Sequence, residues 1–337
     1  MNPFLNDLKL VIDKYQKSSS LEDKLLCYKD YKALRELLLT YLDSDIPYID
    51  IDIKEEFDNI LDIDKMFVTK EVDSNKELLS DLYTKILDHI SGFDIEEDFN
   101  QEIDSNEVFM NFFNSFDNMK ELYQELLNNN GIQVDEEYTV PTTLSFDSIK
   151  KEYILLPPNK YLQSLPHEMG HTYQNKYVKK DNYLIVEFLS ILMELLFMDY
   201  YSNIDTSKGN ILKGTFKSNL FFLFLNTSSQ LELMKRFPDA FINMDMNPDY
   251  RIEFNSINLF SSNMSKQELY LQYYGIGFLL AINYYYKYKE TNDFNIIKEF
   301  IINNKDNNLS NLLSNIDISL IDRFMNDYFN NDKKASK

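Results

Sequence analysis

The 337-residue sequence has one cysteine, no tryptophan, three histidines, seven glycines and eight prolines. With Cys27 alone, an intramolecular disulfide and a thiolate metal cluster are both excluded. So little glycine and proline excludes collagen-like and loop-rich architectures and points to a mainly α-helical chain. Long apolar runs are missing too. The richest stretch, 183–201, is interrupted by Glu187 and Glu194, which argues against a membrane span. The first residues, MNPFLNDLKLVIDKYQK, carry charges at Asp7, Lys9, Asp13 and Lys14 where a signal peptide would be apolar. The expectation is a cytoplasmic protein. Positive charge is short as well: 34 basic residues face 55 acidic ones, a net charge of −21. Such a surface repels a phosphate backbone and an anionic bilayer, so neither nucleic acid nor membrane is expected as a partner.

What is present is a core. Hydrophobic residues make up 44% of the chain, with 25 Phe and 24 Tyr, which excludes wholesale disorder. Residues 3–130 read as successive helices. Leu5, Leu8, Val11 and Ile12 recur at helical spacing, as do Leu25, Leu26, Leu34, Leu37 and Leu38. Ser18–Ser20 supplies N-cap chemistry between these two helices. The pattern breaks over 43–47. Further helices are expected over 76–90 and 108–127, the latter closed by Asn128–Gly131 with Gly131 in the left-handed conformation. Short strands are expected at 132–134, 138–140, 143–146 and 153–156, forming one small sheet. Helices then resume at Lys160 and run through 183–201, 212–225, 229–237, 266–288 and 318–328. The expected organisation is an N-terminal helical region, 1–130, and a catalytic region, 131–337, which also read as one continuous unit.

One motif carries chemistry: His167-Glu168-Met169-Gly170-His171. Histidines four apart lie on one face of a helix, one turn above each other, where both imidazoles can reach one zinc ion. The glutamate between them sits beside the metal, placed to take a proton from a water activated there. With three histidines in the chain, this spacing around a glutamate arises by chance on the order of once in a thousand. Gly170 within the helix costs about 1 kcal/mol relative to Ala, which suits close packing against another element better than a free-standing helix.

A third ligand is needed. Glu187 and Glu194, seven apart, share one face of an otherwise apolar helix, and carboxylates buried there need a partner. Glu187 is the expected ligand and Glu194 the expected acceptor of a ligating histidine's other N–H. Glu194 or Asp199 as ligand is the competing assignment.

The motif, followed by Glu187-x-x-Ser190-x-x-x-Glu194, resembles the zinc peptidases of the oligoendopeptidase F and thimet oligopeptidase family. The strand 153–156 is similar to that family's strand leading into the zinc helix, and Tyr270-Leu-Gln-Tyr273-Tyr274-Gly275-Ile-Gly277-Phe278 to its Tyr/Gly-rich segment. The resemblance spans roughly 150–288. It implies a zincin-type catalytic region with a cleft between helical halves, short peptides as substrates, Ser190 and Glu194 in support of the ligands, and Tyr270 or Tyr274 polarising the scissile carbonyl, with Tyr273 in reserve. Substrate is expected to pair its backbone with an exposed edge strand near 153–156. The chain is shorter than is usual in that family and has no histidine just before Tyr270. These departures keep a second reading open: a zinc-retaining binding or regulatory protein with little turnover. Cys27 is expected as a buried small residue and His89 at the C-terminal end of a helix, where the dipole favours it.

Overall fold

The computed structural model describes residues 3–42, 46, 53–90, 106–178, 182–236, 270–304 and 307–329. Over these described residues it is mainly helical, with one three-stranded sheet. The helices are α1 (Pro3–Lys17), α2 (Leu21–Leu42), α3 (Lys54–Ile90), α4 (Asn106–Phe113), α5 (Met119–Asn128), α6 (Tyr161–Tyr173), α7 (Phe188–Ile204), α8 (Thr206–Arg236), α9 (Tyr270–Thr291), α10 (Asn295–Asn303), α11 (Leu309–Ser314) and α12 (Ile318–Phe329). Among the described residues no helix is long and apolar enough to cross a membrane.

The strands are β1 (Ile132–Val134), β2 (Thr142–Phe146) and β3 (Lys151–Leu156). They lie in the order β1-β3-β2, with β1 parallel and β2 antiparallel to β3. This corrects the expected edge at 153–156: β3 is the central strand, and β2 forms an edge. The expected strand at 138–140 is absent. Asp135 turns the chain there, its side chain accepting from the Glu137 N–H and its carbonyl from the Tyr138 N–H.

Alternation along β3 sorts its side chains onto two layers. Ile154 and Leu156 enter the main hydrophobic cluster with α3–α12, whereas Tyr153 and Leu155 join Phe146 in a second cluster covered by α1 and α2. That second layer is also pinned by polar contacts. The buried Asp7 accepts from the Lys151 ammonium at 2.5 Å and the Tyr153 hydroxyl at 2.6 Å, and Asp30 accepts from the Ser148 N–H at 2.7 Å. Cys27 is buried within this layer, and His89 closes α3 beside Asp322. The boundary expected at 130/131 falls in the turn between α5 and β1, and the main cluster extends across it, from Val72 of α3 to Met325 of α12.

Helix boundaries shift where side chains rewrite local pattern. The expected helix 108–127 is two, because Asn118 takes a left-handed conformation (φ 58°) at the start of α5. At the end of α5 the left-handed residue is Asn130 (φ 52°), not Gly131. Gly131 serves a close approach instead, since a Cβ there would lie 3.0 Å from the Glu152 carbonyl oxygen. Conversely, 206–236 is one helix rather than two. The hydroxyls of Thr227 and Ser229 bond back to the carbonyls of Leu223 and Leu225, so a Ser/Thr-rich break signal is absorbed into the ladder.

α7 lies at the centre of the main hydrophobic cluster. It is apolar nearly all round and packs against α6, α8 and α9, as a helix buried on every side must.

Candidate metal centre

β3 ends at Leu156, a 3-10 turn over Pro158–Lys160 reverses the chain, and α6 follows with the His-x-x-x-His pair on one face. His167, Glu168 and Glu187 are buried and His171 is half-buried. Glu187 is not inside a helix, as its seven-residue spacing from Glu194 suggested. It occupies the residue before α7, where the chain turns in from the short helical turn Tyr183–Ile185.

The three side chains converge. Oε2 of Glu187 lies 3.4 Å from Nε2 of His167 and 3.3 Å from Nε2 of His171. One ligand atom from each residue fits within 4.8 Å of the others, so this group can hold a metal ion. Donors about 2.0–2.1 Å from a tetrahedral zinc stand roughly 3.3–3.4 Å apart, and the two observed nitrogen–oxygen separations match that edge. Glu194 approaches the other face of the same imidazole, with Oε2 3.4 Å from Nδ1 of His167, and its Oε1 accepts from the Gln163 side chain at 2.8 Å. Ser190 donates to the Glu187 carbonyl at 2.9 Å and stands 3.3 Å from its carboxylate. Burial disfavours the charged forms of both His167 and Glu187. Their mutual contacts, with Glu194 on His167 and His171 on Glu187, outweigh it, holding the histidine well above and the carboxyl far below its usual range.

Asp199, the competing ligand, is elsewhere. More than three turns along α7 from Glu187, it accepts from the hydroxyls of Tyr285 and Tyr328 and from the Lys289 ammonium, and Lys213 lies 3.7 Å away. These donors hold its carboxyl below the usual range against the opposing effect of burial. It ties α7 to α8, α9 and α12.

Glycines set the spacing. A Cβ on Gly170 would lie 2.5 Å from the Cα of Ser190, and one on Gly277 would lie 2.9 Å from the carbonyl carbon and Cβ of Glu187. α6 and α9 therefore both touch the segment that carries Glu187, through residues without side chains. Gly277→Ala is expected to push Glu187 off the histidines, costing about 1–3 kcal/mol in stability and roughly tenfold or more in metal affinity. Gly275→Ala meets the Tyr83 hydroxyl instead and should lower stability alone. Metal titration of both variants separates the effects; equal affinities would show that the Gly277 contact does not place the ligand.

Of the tyrosines, Tyr274 comes to the site: its ring stacks on that of His167, centroids 6.0 Å apart and planes within 10°. Tyr273 packs half-buried against the main cluster. Tyr270 opens α9, and its side chain lies outside the described residues.

Two contacts escaped sequence analysis. Gln163, one turn before His167 on the same face, has the i, i+4 spacing that would have flagged it. Thr143, 25 residues before Glu168, bonds its carboxylate at 2.7 Å, and nothing in the linear sequence links them.

In comparisons with known proteins, the chain matches no family model, no curated protein and no solved structure.

Proposed function

We propose that this chain is a zinc-dependent metallopeptidase hydrolysing short peptides, a divergent relative of the oligoendopeptidase F and thimet oligopeptidase family. The observation that carries the reading is the convergence of His167, His171 and Glu187 within ligand distance, with Glu168 between the histidines. Two imidazoles and a carboxylate are a donor set suited to catalytic zinc, which leaves a fourth position for water or substrate. Zinc, when bound, supplies a Lewis acid that polarises a carbonyl and makes a water acidic enough to attack it near neutral pH.

The remaining work falls to side chains of this protein. Glu168 accepts the proton of the attacking water and returns it to the departing amine. Glu194, backed by Gln163, fixes the His167 ring through Nδ1 and leaves Nε2 turned to the metal group. Tyr274 donates a hydrogen bond from its phenol O–H to the oxygen that gains charge, and keeps its proton. β2, an edge strand beside α6 among the described residues, is the strand along which an extended peptide would pair its backbone. A protein that only bound zinc would have no use for a buried Glu168 beside the ligands, which favours turnover over the binding reading.

The test is elemental analysis with a quenched-fluorescent peptide library. The expected result is about one zinc per chain, hydrolysis that chelator stops and zinc restores, and a Tyr274→Phe variant with normal zinc and kcat lowered roughly a hundredfold. A protein that takes up no zinc, or cleaves regardless of chelator, overturns the proposal.

A further inference from the structure

Glu168 is a buried carboxylate on a flexible side chain, and the peptidase reading asks it to hold one orientation while it exchanges a proton. The contact that orients it comes from the sheet. Thr143 Oγ1 lies 2.7 Å from Glu168 Oε2 and 3.0 Å from the Glu168 carbonyl oxygen, so one hydroxyl addresses both ends of the same residue. The carbonyl also accepts from the Thr172 hydroxyl at 2.9 Å, within α6.

The placement of Thr143 follows from strand register. Thr143 pairs with Ile154, and cross-strand partners point to the same face. Ile154 belongs to the cluster that includes α6, whereas Tyr153, the partner of Leu144, belongs to the cluster under α1 and α2. A slip of one residue would therefore present Leu144 to Glu168 and turn the hydroxyl away. β2 is short, and threonine combines the β-branched shape that suits a strand with a donor short enough to reach the helix beside it.

We propose that Thr143 is a positioning residue: its hydroxyl holds one oxygen of Glu168 so that the other is presented to the reacting water. This rests on the peptidase reading of the site. The register of β2 then sets the aim of the proton acceptor as well as the path of a peptide along the same strand. Thr143 would act on the transition state through Glu168 and would contribute little to ground-state binding.

The variants Thr143→Val and Thr143→Ser test this. Val keeps the volume and strand preference and removes the donor; Ser keeps the donor. For T143V the expected result is a kcat loss of roughly 10- to 100-fold with KM within about twofold, full zinc content, and recovery of most of kcat in T143S. A readout independent of turnover is thermal unfolding. T143V should lower the midpoint by about 2 °C in the wild-type background and by clearly less in Glu168→Ala, where the carboxylate acceptor is gone and only the backbone carbonyl remains. Wild-type kcat in T143V, no recovery in T143S, or equal midpoint shifts in both backgrounds would overturn the positioning role while leaving the peptidase reading intact. A wild-type protein that binds zinc and cleaves no peptide would remove both.

Discussion

Glu168→Gln should lower kcat by roughly a hundred- to ten-thousandfold while zinc content and thermal stability stay close to wild type. The magnitude is that of a general base removed from a proton transfer. An amide is nearly the size of a carboxylate and can still accept from the Thr143 hydroxyl, so the local packing survives. What it cannot do is take up the proton of the attacking water. Glu168 is not one of the three residues whose ligand atoms converge, so the metal group itself is untouched. Steady-state kinetics with elemental analysis on the same preparation decide the matter. A variant that retains wild-type turnover would assign the proton transfer to another group.

The second large effect separates the carboxylates. His167→Ala, His171→Ala and Glu187→Gln should each lose zinc, with affinity falling by more than about a hundredfold, because each removes one of three protein donors, a larger loss than that of an outer partner. Glu194→Gln should keep the metal and weaken it less, since Glu194 meets Nδ1 of His167 and not the Nε2 side on which Glu187 converges. Outer partners of this kind typically contribute 10- to 100-fold in affinity or activity. Competition titration with a chromogenic chelator measures all four. Should Glu194→Gln release zinc while Glu187→Gln retains it, the two roles must be exchanged, and the convergence at 3.3–3.4 Å would belong to an ion pair alone.

Legibility followed sequence distance. The His-x-x-x-His pair was readable because helical geometry alone brings i and i+4 together. The strands at 132–134, 143–146 and 153–156 were readable from short apolar runs and their breaks. The left-handed residue before β1 is Asn130 and not the expected Gly131, since asparagine also adopts that conformation and the polar run holds several candidates. The expected break in α8 does not occur, because Ser and Thr hydroxyls either break a helix or bond back to it, and a buried setting favours the second.

The roles of Glu187 and Glu194 show the intermediate case. Their presence on an apolar segment marked both, but equal angular position assumed one continuous helix. The chain instead turns at Glu187, so the two carboxylates reach opposite nitrogens of one imidazole. Asp199, equally acidic and on the same helix, is taken up by two tyrosines and a lysine from α9 and α12, elements more than eighty residues away. No local pattern distinguishes these fates.

By itself, then, the sequence determined the helical class, the paired histidines with the glutamate between them, and a carboxylate from a nearby apolar segment as the candidate third donor. All of these rest on periodicity and composition within a few turns of chain. The tertiary structure alone decided the strand order that makes β3 central and β2 an edge, the glycine contacts that seat Glu187, and the approach of Thr143 to Glu168. Each depends on which distant surfaces exclude water against one another, a quantity that burial across the whole fold sets and that no window of sequence contains.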